Sequence, residues 1–188
     1  MKRSIYTAFT CDWEYQKNLY ARDGGKVDHV CCLHNCDYVM KRIPLILLDE
    51  LAEYIEYSVP IKPFLEEGIE MFKTEVEVTR VASDEKIGPY LAEAWIEIDE
   101  ENHSYYGYMV TEKLNPLVLT KQRAEIIMAK LDKLHQLGWC HGDIHRNNIM
   151  MNADGEPFII DYGWSHPKTD YCLDLKEFKQ FLALKATQ

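Results

Sequence analysis

The stretch His141-Gly142-Asp143-Ile144-His145-Arg146-Asn147-Asn148 constrains this chain more than any other part of it. A short turn follows, then the apolar run Phe158-Ile159-Ile160, which ends on Asp161-Tyr162-Gly163. The set is an Asp, an Asn five residues later, and a second Asp at the end of a strand and just before a Gly. Phosphoryl transfer from ATP calls for these groups: one carboxylate facing the acceptor hydroxyl, and two oxygen ligands for magnesium.

The flanking sequence predicts a scaffold for that set. Thr120 to Leu137 reads as an amphipathic helix, with Ala124, Ile127, Leu131 and Leu134 at helical spacing and Gly138 as a left-handed stop. Asn148 to Met151 reads as a short strand and Asn152-Ala153-Asp154-Gly155 as a turn. Pro157 to Ile160 is the return strand. Asp161 is therefore expected at a strand end, beside the loop that carries Asp143.

Together these residues resemble the catalytic loop and metal-binding motif of the protein-kinase-like superfamily. The resemblance implies that Asp143 is the catalytic Asp, and that Asn148 and Asp161 bind the metal. Tyr162 takes the place of the Phe in D-F-G. Protein kinases usually carry Arg after the His and Lys two residues after the Asp; here those positions hold Gly142 and His145. HGDxH is similar instead to atypical branches: small-molecule phosphotransferases, Rio-type and lipopolysaccharide kinases, and small kinase-like proteins of large DNA viruses. The order of the motifs, YVMK, then I-G-P, then LHxxGxxHGDIHxxN, most resembles the last group and runs from about Leu19 to Leu184.

The resemblance implies an α+β, two-lobed fold with a truncated C-terminal lobe. Residues 1–114 would form the N-terminal lobe and 115–188 a minimal second one. Only residues 164–188 follow the DYG motif, so the long activation segment and peptide-docking helices of ordinary protein kinases are not expected. Asp170 to Leu184 offers one amphipathic helix, with Leu175, Phe178 and Leu182 on one side. Asp174 at its start is either an anchor for the loop backbone or a charge favoured by the helix dipole.

In the N-terminal half, Tyr38 to Ile43 alternates and is β-branched, as a strand requires. It resembles the strand that carries the phosphate-binding Lys, which assigns that role to Lys41. The rival, Lys62, sits between two prolines that would spoil strand pairing. Phe64 to Val81 is the expected orienting helix, with Glu75 as the partner of Lys41 and Glu70 as the other candidate; Val76, Val78, Thr79 and Val81 are poor helix formers within it.

Further pieces follow from the same likeness. Gly24, Gly25 and Val27 belong to the candidate phosphate-covering loop, where glycines admit close backbone approach. The full G-x-G-x-x-G pattern is absent, and a Gly-Gly hairpin turn is the plain alternative. Tyr106 to Leu114 resembles the strand and hinge that hold adenine, with Thr111 at the back of the pocket and the backbone of Glu112 and Leu114 at the adenine edge. Ile87-Gly88-Pro89 resembles a helix-to-strand turn of small kinase-like families. Leu45, Leu48, Ala52 and Ile55 predict an extra amphipathic helix in an insert over residues 44–63.

The net charge of −10 argues against nucleic acid as a partner. The longest apolar run, Ile43 to Leu48, is too short to span a bilayer, and no apolar stretch follows Lys2-Arg3 as a signal peptide requires. The expected setting is intracellular, with the six cysteines as reduced thiols. Cys31, Cys32, His34 and Cys36, with His29 nearby, lack the paired CxxC spacing of a zinc site.

The expected reaction is transfer of phosphate from ATP, with Mg²⁺, to a protein Ser/Thr hydroxyl. Lys41 holds phosphates, Glu75 orients Lys41, Asn148 and Asp161 bind Mg²⁺, and Asp143 positions the hydroxyl and takes its proton. His145 either donates to the γ-phosphate or makes a structural hydrogen bond. The rivals are a small-molecule phosphotransferase, and an ATP-binding scaffold or partner-activated ATPase.

Overall fold

The computed structural model describes residues 1–8, 11–22, 25–32, 35–46, 56 and 60–185. Gly24 of the expected phosphate loop, His34 of the cysteine-rich segment, and Leu48, Ala52 and Ile55 of the expected insert helix lie outside the described residues. The described fold is mixed α+β, with three helices and one large antiparallel sheet. It falls into two compact units. The first holds Met1–Val76 and Leu91–Lys113; the second holds Glu77–Tyr90 and Leu114–Gln188.

The first unit contains β1 (Lys2–Thr7), β2 (Glu14–Arg22), β3 (Gly25–Cys32), β4 (Asn35–Pro44), β5 (Leu91–Asp99) and β6 (Ser104–Glu112). They form one sheet in the order β1-β5-β6-β4-β3-β2. Register places Lys41 opposite Val27 on one side and Met109 on the other, and Val39 opposite Thr111. Because side chains alternate along a strand, Val27, Lys41, Met109 and Thr111 share one face.

Helix α1 (Lys62–Asp84) covers that face. Its start has a physical cause in Pro63, which suits a first turn where no N–H is needed. Lys62, the rival phosphate Lys, thus opens a helix and pairs with Glu66 at 3.7 Å. Phe72 and Val76 are buried with Leu91, Ala94, Ile96 and Met109. The β-branched run that predicts a weak helix is helical because burial outweighs propensity: Val76, Val78 and Thr79 are all nearly inaccessible.

The second unit takes the last turns of α1 and the chain from Leu114 onward. It contains β7 (Asn115–Pro116), α2 (Lys121–Gln136), β8 (Trp139–Cys140), β9 (Ile149–Met151), β10 (Pro157–Ile159), β11 (His166–Pro167) and α3 (Asp174–Lys185). The Thr120 hydroxyl caps α2 by accepting from the Arg123 amide at 3.2 Å. Gly138 follows with φ +88° as the left-handed stop. Ala124, Ile127, Leu131 and Leu134, the four positions predicted to be apolar contacts, are buried with Val78, Ile87, Ile149, Ile159, Tyr162 and Phe178. Among the described residues, no helix is long and apolar enough to cross a membrane.

Candidate active site

The loop between β8 and β9 is held from below by one carboxylate. Asp174, the first residue of α3, is 1% exposed. Its Oδ2 accepts from the His141 amide at 2.7 Å and from His135 Nε2 at 2.8 Å, and its Oδ1 accepts from the Gly142 amide at 3.0 Å. Burial alone would push this carboxyl up. The hydrogen bonds from His135 and the two amides outweigh burial and hold it below the usual carboxylate range. Of the two readings open for Asp174, the geometry gives the anchor.

His141 fixes the next turn. Its Nδ1 accepts from the Asp143 amide at 3.2 Å, so Nε2 carries the hydrogen and donates to the Ile160 carbonyl at 2.9 Å. The ring thereby ties the catalytic loop to the residue before Asp161. Gly142 stands where protein kinases carry Arg, and the reason is steric. Its φ is +81°, and a Cβ there would lie 2.4 Å from the Trp164 carbonyl oxygen. No side chain fits.

The candidate catalytic and metal-binding groups follow within this unit. The Asn148 side-chain nitrogen donates to the Asp143 carbonyl at 2.9 Å and to Asp143 Oδ2 at 3.1 Å. The Asn148 backbone carbonyl accepts from the Ile160 amide at 2.9 Å, which brings Asn148 beside Asp161. Asp161 has φ +66°, a left-handed conformation that Asp tolerates better than most residues and that marks functional turns. With the amide nitrogen of Asn148 committed to the loop, its carbonyl Oδ1 and the Asp161 carboxylate are hard oxygen donors of the kind Mg²⁺ takes. The donor set fits that ion.

His145 Nδ1 accepts from the Asn147 amide at 3.2 Å, so Nε2 bears the hydrogen and faces Asp143 Oδ2 at 3.4 Å. Both ring contacts of His145 thus lie within the loop.

Ile87-Gly88-Pro89 also gains a physical account. The Ile87 carbonyl accepts from the Ile159 amide at 3.0 Å, and a Cβ on Gly88 would lie 2.9 Å from the Tyr162 hydroxyl and 3.0 Å from the Ile159 carbonyl. This turn braces the strand that leads to Asp161.

In the sheet unit, Lys41 Nζ lies 2.7 Å from Glu75 Oε1; the Lys side chain is 30% exposed and the Glu side chain 5%. Glu70, the other candidate partner, pairs with Lys73 one turn along the helix. Gly25 opens β3 and Val27 is half-buried next to Lys41 in register. Thr111 and Glu112 end β6, and Leu114 is buried in the second unit.

Two features escape sequence reasoning. His135 was a partner waiting on the apolar side of α2, four residues after Leu131; that spacing was its signal. The pairing of Cys140 with Cys172 had none. Their sulfurs are bonded, at 2.20 Å with Cα atoms 6.0 Å apart, which corrects the expectation of thiols at these two positions. Compartment alone predicts thiols, whereas the chain folds Cys172 back onto β8.

The buried His141 gives a pH dependence. Burial holds its imidazole below its ordinary value of 6.5, against the pull of the Ile160 carbonyl and of Asp174, Asp161 and Asp143. A group with a depressed folded value binds fewer protons folded than unfolded, so its contribution is in place above 6.5 and fades as the pH falls below it. The melting temperature is expected to decline from pH 7 toward pH 5, and to decline less steeply in His141→Gln, which keeps a donor toward Ile160. Equal slopes in the two proteins would overturn this assignment.

The model of the phosphotransferase enzyme family (APH) matches residues 66–167. That interval takes in Glu75, the I-G-P turn, Thr111, Glu112, the catalytic loop and the DYG motif. No curated protein matches the chain.

Proposed function

Because the chain belongs to the phosphotransferase enzyme family, within the protein-kinase-like superfamily, we propose that it transfers the γ-phosphoryl group of ATP to a hydroxyl, with Asp143 as the residue that receives the hydroxyl proton. The observation that carries this reading is the joined geometry of Asp143, Asn148 and Asp161: one amide nitrogen clamps the catalytic carboxylate, and the same Asn is tied through its carbonyl to the residue before Asp161.

Asn148 and Asp161 would hold Mg²⁺, which supplies positive charge against the β and γ oxygens. Lys41, oriented by Glu75, would hold the α and β phosphates. Gly24, Gly25 and Val27 would cover them. Thr111, Glu112 and Leu114 would meet the adenine. His145, whose ring accepts from the Asn147 amide within the loop, would face the γ-phosphate beside Asp143. ATP as substrate suits an intracellular setting. The order of the YVMK, I-G-P and HGDIHxxN motifs supports a place among the small atypical branches, near the kinase-like proteins of large DNA viruses.

For the acceptor we favour a protein Ser/Thr hydroxyl. Trp164, directly after DYG, is 70% exposed, and Tyr171 and Leu173 are 88% and 51% exposed. Large apolar side chains displayed after the metal-binding Asp suit a macromolecular surface. The family match favours a second reading, a small-molecule hydroxyl.

Purified chain with Mg²⁺ and γ-phosphate-labelled ATP, offered a cell extract split into macromolecular and small-molecule fractions, separates these. Label on protein is the expected result, and Lys41→Met is expected to lower kcat/KM for ATP. Label only in the small-molecule fraction selects the second reading. No transfer in either fraction, with Mg²⁺-dependent ATP binding intact, sinks both and leaves the scaffold or ATPase reading.

A further inference from the structure

A second cluster of ligating groups lies under the catalytic loop, outside the set that the phosphoryl-transfer reading uses for chemistry. His135, Cys140, Cys172 and Asp174 bring one ligand atom each within 4.8 Å of one another. Cys140 is 0%, His135 8% and Asp174 1% exposed. Cys172 is half-buried, and with His135 it lines an open pocket of about 450 Å³ that gives the cluster a route to solvent.

These atoms are gathered somewhat more tightly than a small tetrahedral ion would hold them, so the cluster opens slightly as it binds one. His135 Nε2 lies 2.8 Å from Asp174 Oδ2 and 3.2 Å from Cys172 Sγ, and that sulfur lies 3.5 Å from Asp174 Oδ2. Around zinc, with Zn–S about 2.3 Å and Zn–N or Zn–O about 2.0–2.2 Å, neighbouring ligand atoms stand about 3.3–3.8 Å apart.

We propose that, once the Cys140–Cys172 bond is reduced, His135, Cys140, Cys172 and Asp174 bind one zinc ion. The balance is simple. A cellular dithiol is oxidised to its disulfide, and its two electrons and two protons convert the Cys140–Cys172 bond to two thiols. Zinc then displaces the two thiol protons to solvent, and the His135 proton moves from Nε2 to Nδ1 so that the ring stays neutral and ligates through Nε2. The two sulfurs, no longer bonded, part to share the ion.

The chemistry of the set selects zinc over magnesium or calcium, since two soft thiolates and an imidazole are poor ligands for hard cations. The carboxylate is already oriented by the amides of His141 and Gly142, as outer partners orient a metal ligand. Four protein ligands and no open position make a structural site. Because Cys140 directly precedes His141, the ion would pin the start of the loop that carries Asp143. The proposal stands whether or not the phosphoryl-transfer reading holds.

The test uses the full chain, treated with a phosphine reductant and offered zinc alone. The expected result is one zinc per chain by elemental analysis, and with cobalt(II) in its place the absorption of a tetrahedral thiolate complex. Cys31→Ser, which touches the other cysteine-rich segment, should keep the ion. Cys172→Ser should bind it more than about 100-fold more weakly, since loss of an outer partner alone costs about 10–100-fold. Zinc should also shield Cys140 and Cys172 of the unmodified chain from alkylation, a readout that needs no variant to fold. The proposal is overturned if the reduced chain takes up no zinc, if Cys172→Ser retains it, or if Cys140 and Cys172 re-form their bond with zinc present.

Discussion

Asp143→Asn is expected to lower kcat for phosphoryl transfer by about 10²–10⁴-fold, the range that a positioned proton acceptor contributes, while nucleotide binding stays largely intact. Asn has the same shape as Asp. Its Oδ1 still accepts from the Asn148 side chain, which now holds Asp143 Oδ2 at 3.1 Å, and the Asp143 amide still donates to His141 Nδ1. What disappears is the capacity to take the acceptor proton. Removal of one negative charge from the phosphate region does not weaken binding of an anionic nucleotide; if binding moves, it tightens. A fall in kcat with an unchanged or lower KM is therefore the diagnostic pattern. Parallel loss of ATP binding in a folded Asp143→Asn protein would remove Asp143 from the role of proton acceptor.

Legibility differed from element to element for physical reasons. The helix before the loop was readable because two signals agree: Ala124, Ile127, Leu131 and Leu134 repeat at its period, and Gly138 stops it at φ +88°. The hairpin after the loop was readable because Gly155, at φ +80°, supplies the turn. The sheet was not. β1 pairs with β5, and β4 with β6, across long stretches of chain, and alternation within a strand does not name its neighbour. Val76 to Val81 shows the limit of propensity, since a weak helix former is helical where burial demands it. Nor does a helical period say which core a given turn will join, and α1 contributes Phe72 to one cluster and Val78 to the other.

The site divides the same way. The contacts that join Asp143 to Asn148, and Asn148 to Ile160 beside Asp161, were foreshadowed in the sequence because they link residues close along the chain. The reason Gly142 replaces Arg could not, because it depends on a Trp164 carbonyl that arrives from the far side of a hairpin. The Cys140–Cys172 bond, with a sequence separation of 32, belongs to no spacing pattern.

The other large effect is expected from Asp174→Ala. Truncation strips the acceptor from three donors at once: the His141 and Gly142 amides and the His135 ring. A buried donor left unsatisfied costs about 1–3 kcal/mol. Three of them do not reach the simple sum, because the pocket beside His135 and Cys172 lets water reach part of the site. A loss of about 3 kcal/mol follows, which for a chain of this size lowers the melting temperature by about 6–12 °C. Asp174→Asn should recover only part of it, because an amide presents hydrogens to one of the two sets of donors that both carboxylate oxygens now satisfy. Asp170→Ala, at an exposed neighbouring carboxylate, should stay within about 0.5 kcal/mol of the parent. Amide exchange locates the effect: protection at His141 and Gly142 should collapse in Asp174→Ala and persist in Asp170→Ala. The acid limb offers an independent check. The folded Asp174 carboxyl lies below 3.8, so its contribution is present above that pH and fades as the pH falls through the folded value. Asp174→Ala should lack that part of the decline. If Asp174→Ala instead matches Asp170→Ala in stability and in exchange, the carboxylate beneath the loop is not its anchor, and the positions of Asp143 and Asn148 must be fixed from the Ile160 side alone.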